Sequence, residues 1–196
     1  MKYRPLIALA AAAVAATALA GCNTKVGAAA TVGSQTIRES QVNRYLTAKA
    51  KPIPTQNGTI VPRSYVLQDL ILQELMMRGL AAHGGSPSNA TVAKVITQLK
   101  QGQSDAQVAA GYTRYGFTPQ MAAFDYRVHA LESLLGNRTR SRDLPALAKA
   151  VNRMNVPVSV SRRFGAWDPA TLSISTSNGA GLPKMVSLQP SPQSQP

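Results

Sequence analysis

Apolar side chains crowd the segment from Pro62 to Gly85. Val66, Leu67, Leu70, Ile71, Leu72, Leu75, Met76, Met77 and Leu80 all fall there. Projected at about 100° per residue they cover nearly the whole circumference, which predicts a helix buried on more than one side and central to the core. Pro62 suits the first turn, where a missing N–H costs nothing, and Gly84-Gly85 ends the segment. Elsewhere, period and capping signals predict the helices. Val42, Tyr45 and Leu46 share a face over 39–50. Ser88 opens a helix with Val92, Val95, Ile96 and Leu99 inward, ending near Gly102. Ser104-Asp105-Ala106-Gln107 is a capping-box pattern for a helix to about Tyr115, stopped by Gly116. Thr118-Pro119 opens the next, whose Met121, Phe124, Val128, Leu131 and Leu135 form a coiled-coil-like seam suited to an antiparallel neighbour. Leu144, Leu147, Val151 and Met154 mark a last helix.

Strand signals lie at the two ends. Ala29 to Ile37 reads as a short strand with a Gly33-Ser34 turn, and Val156 to Val160 as another, with Pro157 favouring an edge. Thr55 to Val61 reads as a connecting loop. A lone strand is not stable, so the two ends are expected to pair. The fold class is therefore mostly α: five or six helices, with N- and C-terminal short strands pairing in a small sheet. Residues 29–176 would form one helical domain, and 177–196, rich in Ser, Pro, Gln and Gly, a disordered tail.

The first residues do not fit that domain. Lys2 and Arg4 precede a small-apolar run from Leu6 to Ala20, broken only by Thr17. This is the n-region and h-region of a secretory signal, and the run is shorter than the roughly 20 residues of a spanning helix. Leu19-Ala20-Gly21-Cys22 matches the lipobox of bacterial lipoprotein precursors. Cys22, the sole cysteine, stands where diacylglycerol is attached, and 22–28 reads as a polar tether. Residues 1–21 would be cleaved, so the mature chain is expected to be exported and lipid-anchored on the outer side of the cytoplasmic membrane. One cysteine also means no intramolecular disulfide, so stability must come from packing.

The chain carries a net charge of +13, and cleavage would leave +11 by removing Lys2 and Arg4. Such a charge attracts polyanions generically. For an exported protein these would be anionic lipid head groups or acidic wall polymers, not nucleic acid. Arg138, Arg140, Arg142 and Lys149 form the densest cluster, with Arg162 and Arg163 further on; the alternative is a solvated basic face with no ligand. Catalytic fingerprints are missing: no Gly-x-Ser-x-Gly, His-Glu-x-x-His, P-loop or dinucleotide motif occurs. The eight carboxylates are scattered, and no cofactor or metal is implied.

Four stretches resemble the N-terminal chaperone domain of SurA-like envelope proteins. Val32 to Val42 is similar to that family's hairpin and helix start, and Val66 to Gly79 to its long central helix. Gly116 to Leu135 and Val158 to Asp168 resemble its capped helix and closing strand. Arg38 stands where a capping Ser or Thr is usual, and Ser161-Arg162 replaces an Asn-Pro. The resemblance implies a holdase that shelters unfolded exported proteins without ATP, its terminal strands paired and its helices forming an apolar cradle. A parvulin-type isomerase insert would fall before the closing strand, where only Gly136 to Asn155 is available. The family's histidine pair finds only His83 and His129, both read as structural or solvent-facing. The chain is thus expected to be no enzyme. The alternative is a non-catalytic envelope module for one protein partner or a polyanion.

Met76, Met77, Met121 and Phe124 are the candidate client contacts, the methionines because flexible thioethers adapt to varied apolar partners; the alternative is core packing. Trp167 with Phe164 marks either a contact surface or the packing of a terminal strand, and Tyr112, Tyr115 and Phe117 an aromatic helix–helix contact. The sharpest expectation concerns Cys22. Cys22→Ala should abolish incorporation of radiolabelled acyl chains and leave unprocessed precursor; normal processing of this variant would remove the lipoprotein reading.

Overall fold

The computed structural model describes residues 27–55 and 58–175. Cys22, most of its tether and the expected tail at 177–196 lie outside the described residues. Within them the protein is mostly α with small antiparallel sheets. β1 (Ala28–Val32) turns at Gly33 into β2 (Gln35–Arg38), followed by α1 (Glu39–Asn43) and a hairpin of β3 (Ile53–Thr55) and β4 (Gly58–Ile60). Next come α2 (Pro62–Ala82), α3 (Asn89–Lys100), α4 (Asp105–Thr113), α5 (Pro119–Thr139) and α6 (Leu144–Asn152). β5 (Val158–Val160), a 3₁₀ turn (Arg162–Phe164), β6 (Ala166–Asp168) and β7 (Ser173–Ser175) close the domain.

The ends pair as expected. The sheet order is β2-β1-β5, both pairings antiparallel, with Ala30 opposite Val160 and Val32 opposite Val158. β5 is an edge strand, so Pro157 beside it costs no ladder bond, and its carbonyl accepts from Gly33 N–H at 2.8 Å.

Cap chemistry sets several helix starts. Ser88 Oγ accepts from Thr91 N–H, Ser104 and Gln107 form a reciprocal capping box, and Asp143 Oδ1 accepts from Ala146 N–H at 2.8 Å. Thr118 stands at the N-cap of α5 without a capping bond. Its backbone N–H instead reaches Tyr45 O at 2.9 Å, and Pro119 supplies the helical start.

Four sequence expectations need correction. The helix expected over 39–50 stops at Asn43. Tertiary bonds claim the following backbone: Leu46 bridges Phe117, and Thr47 N–H and Oγ1 both donate to Gly116 O at 2.9 Å. Thr55–Val61, read as a loop, contains β4 and part of β3, because Ile53 and Ile60 pair and are both buried in the core. The β6–β7 hairpin was not anticipated at all. Three-residue strands carry almost no period, and this pair holds because Ile174 is buried and its N–H donates to Gln68 Oε1 of α2 at 2.9 Å.

The fourth correction concerns direction. The seam of α5 does meet α2, but the two run in the same sense. Near their starts Tyr65 reaches Asp125; near their ends Leu135 packs on Gly79 and Arg138 donates to Leu80 O. The chain through α3 and α4 brings it back to the starting end, and a 3–4 seam does not encode polarity. Gly79 is required for the approach, since a Cβ there would lie 2.7 Å from Leu135 Cδ2. One core runs through the domain, with Val66, Leu67, Ile71, Met76, Leu80, Met121, Val128, Leu131 and Leu135 fully buried.

Gly116 is the tightest point of the chain path. It has φ +83°, and a Cβ would sit 2.4 Å from Ala50 Cα and 2.5 Å from Ala50 N, backbone that cannot step aside. Gly116→Ala is expected to cost about 2 kcal/mol or more, adding left-handed strain to a steric clash. Urea denaturation checks this, and a loss below about 0.5 kcal/mol would show that the Ala50 segment is not held as described.

Candidate functional site: a cleft over a buried carboxylate–histidine network

The candidate client contacts lie in or against the core. Met76 and Met121 are fully buried, and Met77 is half-buried at the core's edge. Phe124 is 9% exposed and stacks on Tyr45 with ring centroids 4.7 Å apart. Met76 and Met121 therefore present no surface in this fold. Trp167, half-buried on β6, packs against the core opposite Ile174, and Phe164 is buried between the guanidinium groups of Arg63 and Arg163, at 5.4 and 5.5 Å. Tyr112 and Tyr65 pack edge-on against Phe117, the aromatic contact expected there, with Tyr115 half-buried beside it.

The basic cluster divides by role. Arg138 donates to the carbonyls of Leu80, His83 and Gly85, closing the C-terminal end of α2, where the helix dipole favours a cation. Arg163 pairs with Glu39, which also takes Arg63 at 3.1 Å, and so ties the closing 3₁₀ turn to α1 and α2. Arg140, Arg142, Lys149, Arg153 and Arg162 are exposed.

The chemistry-bearing residues that stand closest together were not anticipated from the sequence. Asp125 of α5 is fully buried and accepts from Tyr65 of α2 at 2.7 Å and from Tyr112 of α4. One turn on, His129 Nε2 lies 3.5 Å from Asp125 Oδ1 while its Nδ1 meets Glu132 Oε2 at 2.9 Å. Both side chains are nearly buried, at 10% and 7% exposure. Asp69 of α2 is buried as well, close enough that its charge, with that of Asp125, acts on both tyrosines. Burial first, and then these carboxylates, push the Tyr65 hydroxyl well above its ordinary value, and Tyr112 rises for the same reasons. Both stay protonated donors. The spacing of Asp125, His129 and Glu132, four and three residues apart, was visible as one helical face. Its inward direction was not, because the same face carries the apolar seam. Asp69, inside the most apolar helix, was the other available signal.

His129 and Glu132 also form the floor of an open cleft of about 430 Å³. Ser133, Gly136 and Asn137 continue the α5 wall, Leu99 of α3 faces them, and Ser141 to Leu144 with Leu147 close the α6 side. The turn that builds this wall depends on Arg140, whose φ of +56° ends α5 and lets Ser141 N–H bond to Gly136 O at 2.8 Å. Leu144 is the large apolar side chain left exposed among the described residues. The arrangement can hold a small ligand by a buried acceptor, several amide and hydroxyl groups and an apolar wall. Among the described residues no group of three His, Cys, Asp or Glu side chains could hold a metal ion, and no helix is long and apolar enough to cross a membrane. Comparison with protein-family models, with curated proteins and with solved structures gives no match.

The tyrosine–carboxylate bonds have a pH signature. Their hydroxyls are raised in the folded state from an ordinary 10.0, so their stabilisation is complete below about pH 10 and is lost as pH rises beyond it. In that range the unfolded chain releases protons that the folded chain keeps, and each tyrosine contributes a fall of about 1.4 kcal/mol per pH unit. Tyr112→Phe should cost about 1–3 kcal/mol at neutral pH, because it withdraws a donor from a buried carboxylate, and should make the alkaline decline shallower. Urea titrations across this range decide it; an unchanged slope in Tyr112→Phe would contradict the assignment.

Proposed function

We propose that this chain is a lipid-anchored, non-catalytic binding protein of the bacterial cell envelope, tethered through Cys22 and docking a polyanion on its cationic surface. The observation that carries this reading is the segregation of charge. Asp69, Asp125 and Glu132, three of the eight acidic residues, are buried. Every lysine and arginine among the described residues, which omit only Lys2, Arg4, Lys25 and Lys184, is at least partly exposed. The surface is therefore more basic than the composition alone implies, and a field of that sign concentrates phosphate- or carboxylate-rich polymers. Anchoring adds to this by holding the domain at high effective concentration beside anionic lipid head groups and wall polymers.

A chain beginning after Cys22 should bind phosphatidylglycerol vesicles or polyphosphate with an affinity that falls about tenfold or more between roughly 50 and 200 mM salt. Lys149→Gln with Arg153→Gln should weaken it further, since both side chains are exposed four residues apart on α6 and its cap. Salt-independent binding, or none, would remove the polyanion reading.

The holdase reading has its own support: the terminal strands pair as the SurA-like resemblance implies, and Leu144 with Leu99 and Leu147 leaves apolar surface at the cleft. It requires suppression of aggregation of several unrelated unfolded proteins at near-stoichiometric ratio. The burial of Met76 and Met121 weighs against it, since shelter of a client there would require the α2–α5 seam to open.

A further inference from the structure

We propose that the arginine cluster around the start of β1 is the face on which the domain docks to an anionic bilayer, with Arg38, Arg162 and Arg163 receiving the phosphates of lipid head groups. This rests on the anchored, polyanion-docking reading and deepens it, naming one face of the cationic surface and one partner.

The cluster converges on Ala28. Arg38 stands opposite it in the β1–β2 register, and Arg163 Nη2 donates to its carbonyl at 3.3 Å. Glu39, whose N–H bonds to Gly27 O at 2.8 Å, receives Arg63 at 3.1 Å and Arg163 as well. Arg162 adjoins Arg163 in the wall of an open cleft of about 500 Å³, beside Ser64 and Ser175. Four arginines against the one carboxylate of Glu39 leave a local charge of +3. Asp168 lies at the other end of the β6–β7 hairpin, its oxygens taken by Ala170 N–H and the Thr171 hydroxyl. The side chains of Arg63 and Arg163 are 50% and 51% exposed even while bonded to Glu39. Arg38 and Arg162 are exposed and make no ion pair among the described residues. A guanidinium has a fork of donors that matches two phosphate oxygens, and the cleft gives a head group a recess with two such forks in its wall.

The length of chain between this face and the lipid selects it over the other basic cluster. Gly27 follows Cys22 by five residues, a reach of at most about 18 Å. Arg140 and Arg142 stand at the opposite end of α2, just past Arg138 and its bond to Leu80 O. The 21 residues of α2 put roughly 30 Å between Arg63 and that end. The pull of an anionic surface fades over about 8 Å at physiological salt. The tether therefore confines the arginines beside Gly27 to the neighbourhood of the bilayer and leaves Arg140 and Arg142 unconfined.

Arginine modification by phenylglyoxal, read residue by residue by peptide mass spectrometry, tests this on the full lipidated chain. The chain is reconstituted in phosphatidylglycerol vesicles and in phosphatidylcholine vesicles, so that the anchor is engaged in both. Labelling of Arg38, Arg162 and Arg163 is expected to fall about threefold or more in phosphatidylglycerol, with Arg140 and Arg142 labelled alike in the two. Arg38→Gln with Arg162→Gln, which breaks no ion pair, should return Arg163 labelling to its phosphatidylcholine level at an unchanged melting temperature. Equal labelling in the two vesicles overturns the proposal; salt-dependent binding of the unanchored chain then decides separately whether the polyanion reading also fails. Protection of Arg140 and Arg142 in place of the three overturns the proposed face while the polyanion reading stands. Equal protection of the three by soluble polyphosphate, added to phosphatidylcholine vesicles, assigns the face to a soluble polymer and overturns the lipid partner. A chain that floats with neither vesicle is not lipid-anchored, and the proposal falls with the anchor.

Discussion

The Asp125 carboxylate, with no exposed surface, accepts one hydrogen bond from the Tyr65 hydroxyl of α2 and another from the Tyr112 hydroxyl of α4. A carboxylate in that position is costly to bury unless its oxygens are bonded. The cost therefore constrains three helices at once. α5 must carry Asp125 inward, α2 must run alongside in the same sense so that Tyr65 reaches it, and α4 must cross close enough for Tyr112. Phe117 then fills the angle between the two tyrosine rings, and its own position is held by the Leu46 bridge and the Thr47 bonds to Gly116. The polar network thus specifies an arrangement that apolar packing alone would leave with alternatives.

A second set of buried polar contacts fastens the end of the domain to its middle. Ser64 Oγ donates to Phe164 O at 2.7 Å, and Gln68 receives Ile174 N–H. Both residues lie on the first turns of α2, on the side that its apolar neighbours leave to β7 and the 3₁₀ turn. Glu39 adds a surface clamp by receiving Arg63 and Arg163, whose guanidinium groups also cover Phe164. With β5 paired to β1, the closing segment is held by a sheet edge, two buried hydrogen bonds and a cation–aromatic layer. No disulfide is needed to hold the first described strand and the last together.

The same network separates charge. Acidic residues buried along α2 and α5 no longer balance the basic residues outside, so the exterior is cationic. Arg138 and Arg163 are spent on structure, one closing α2 and the other clamping Glu39. The cationic exterior rests on Arg140, Arg142, Lys149, Arg153 and Arg162 together with the exposed Arg38, Arg44, Lys49, Lys51, Lys94 and Arg114.

Local order was legible in the sequence because its causes are local. The apolar run of α2, the Ser88 and Ser104 caps, the seam of α5 and the edge-strand proline each act within a few residues, and each stands where its pattern predicted. The pairing of the two ends was also legible, since an unpaired strand is unstable wherever it lies. What only the tertiary structure decided depends on residues far apart in the chain. The 39–50 segment exchanges helix for bonds to Gly116, β6 and β7 persist through Gln68, and α2 and α5 share a direction that no seam encodes. The candidate cleft belongs to the same class. Asp125, His129 and Glu132 read as scattered polar residues beside an apolar stripe, and only the packing of α2, α3 and α4 against that stripe turns them inward. Sequence determined which residues were available; the fold determined which of them desolvation would bring together.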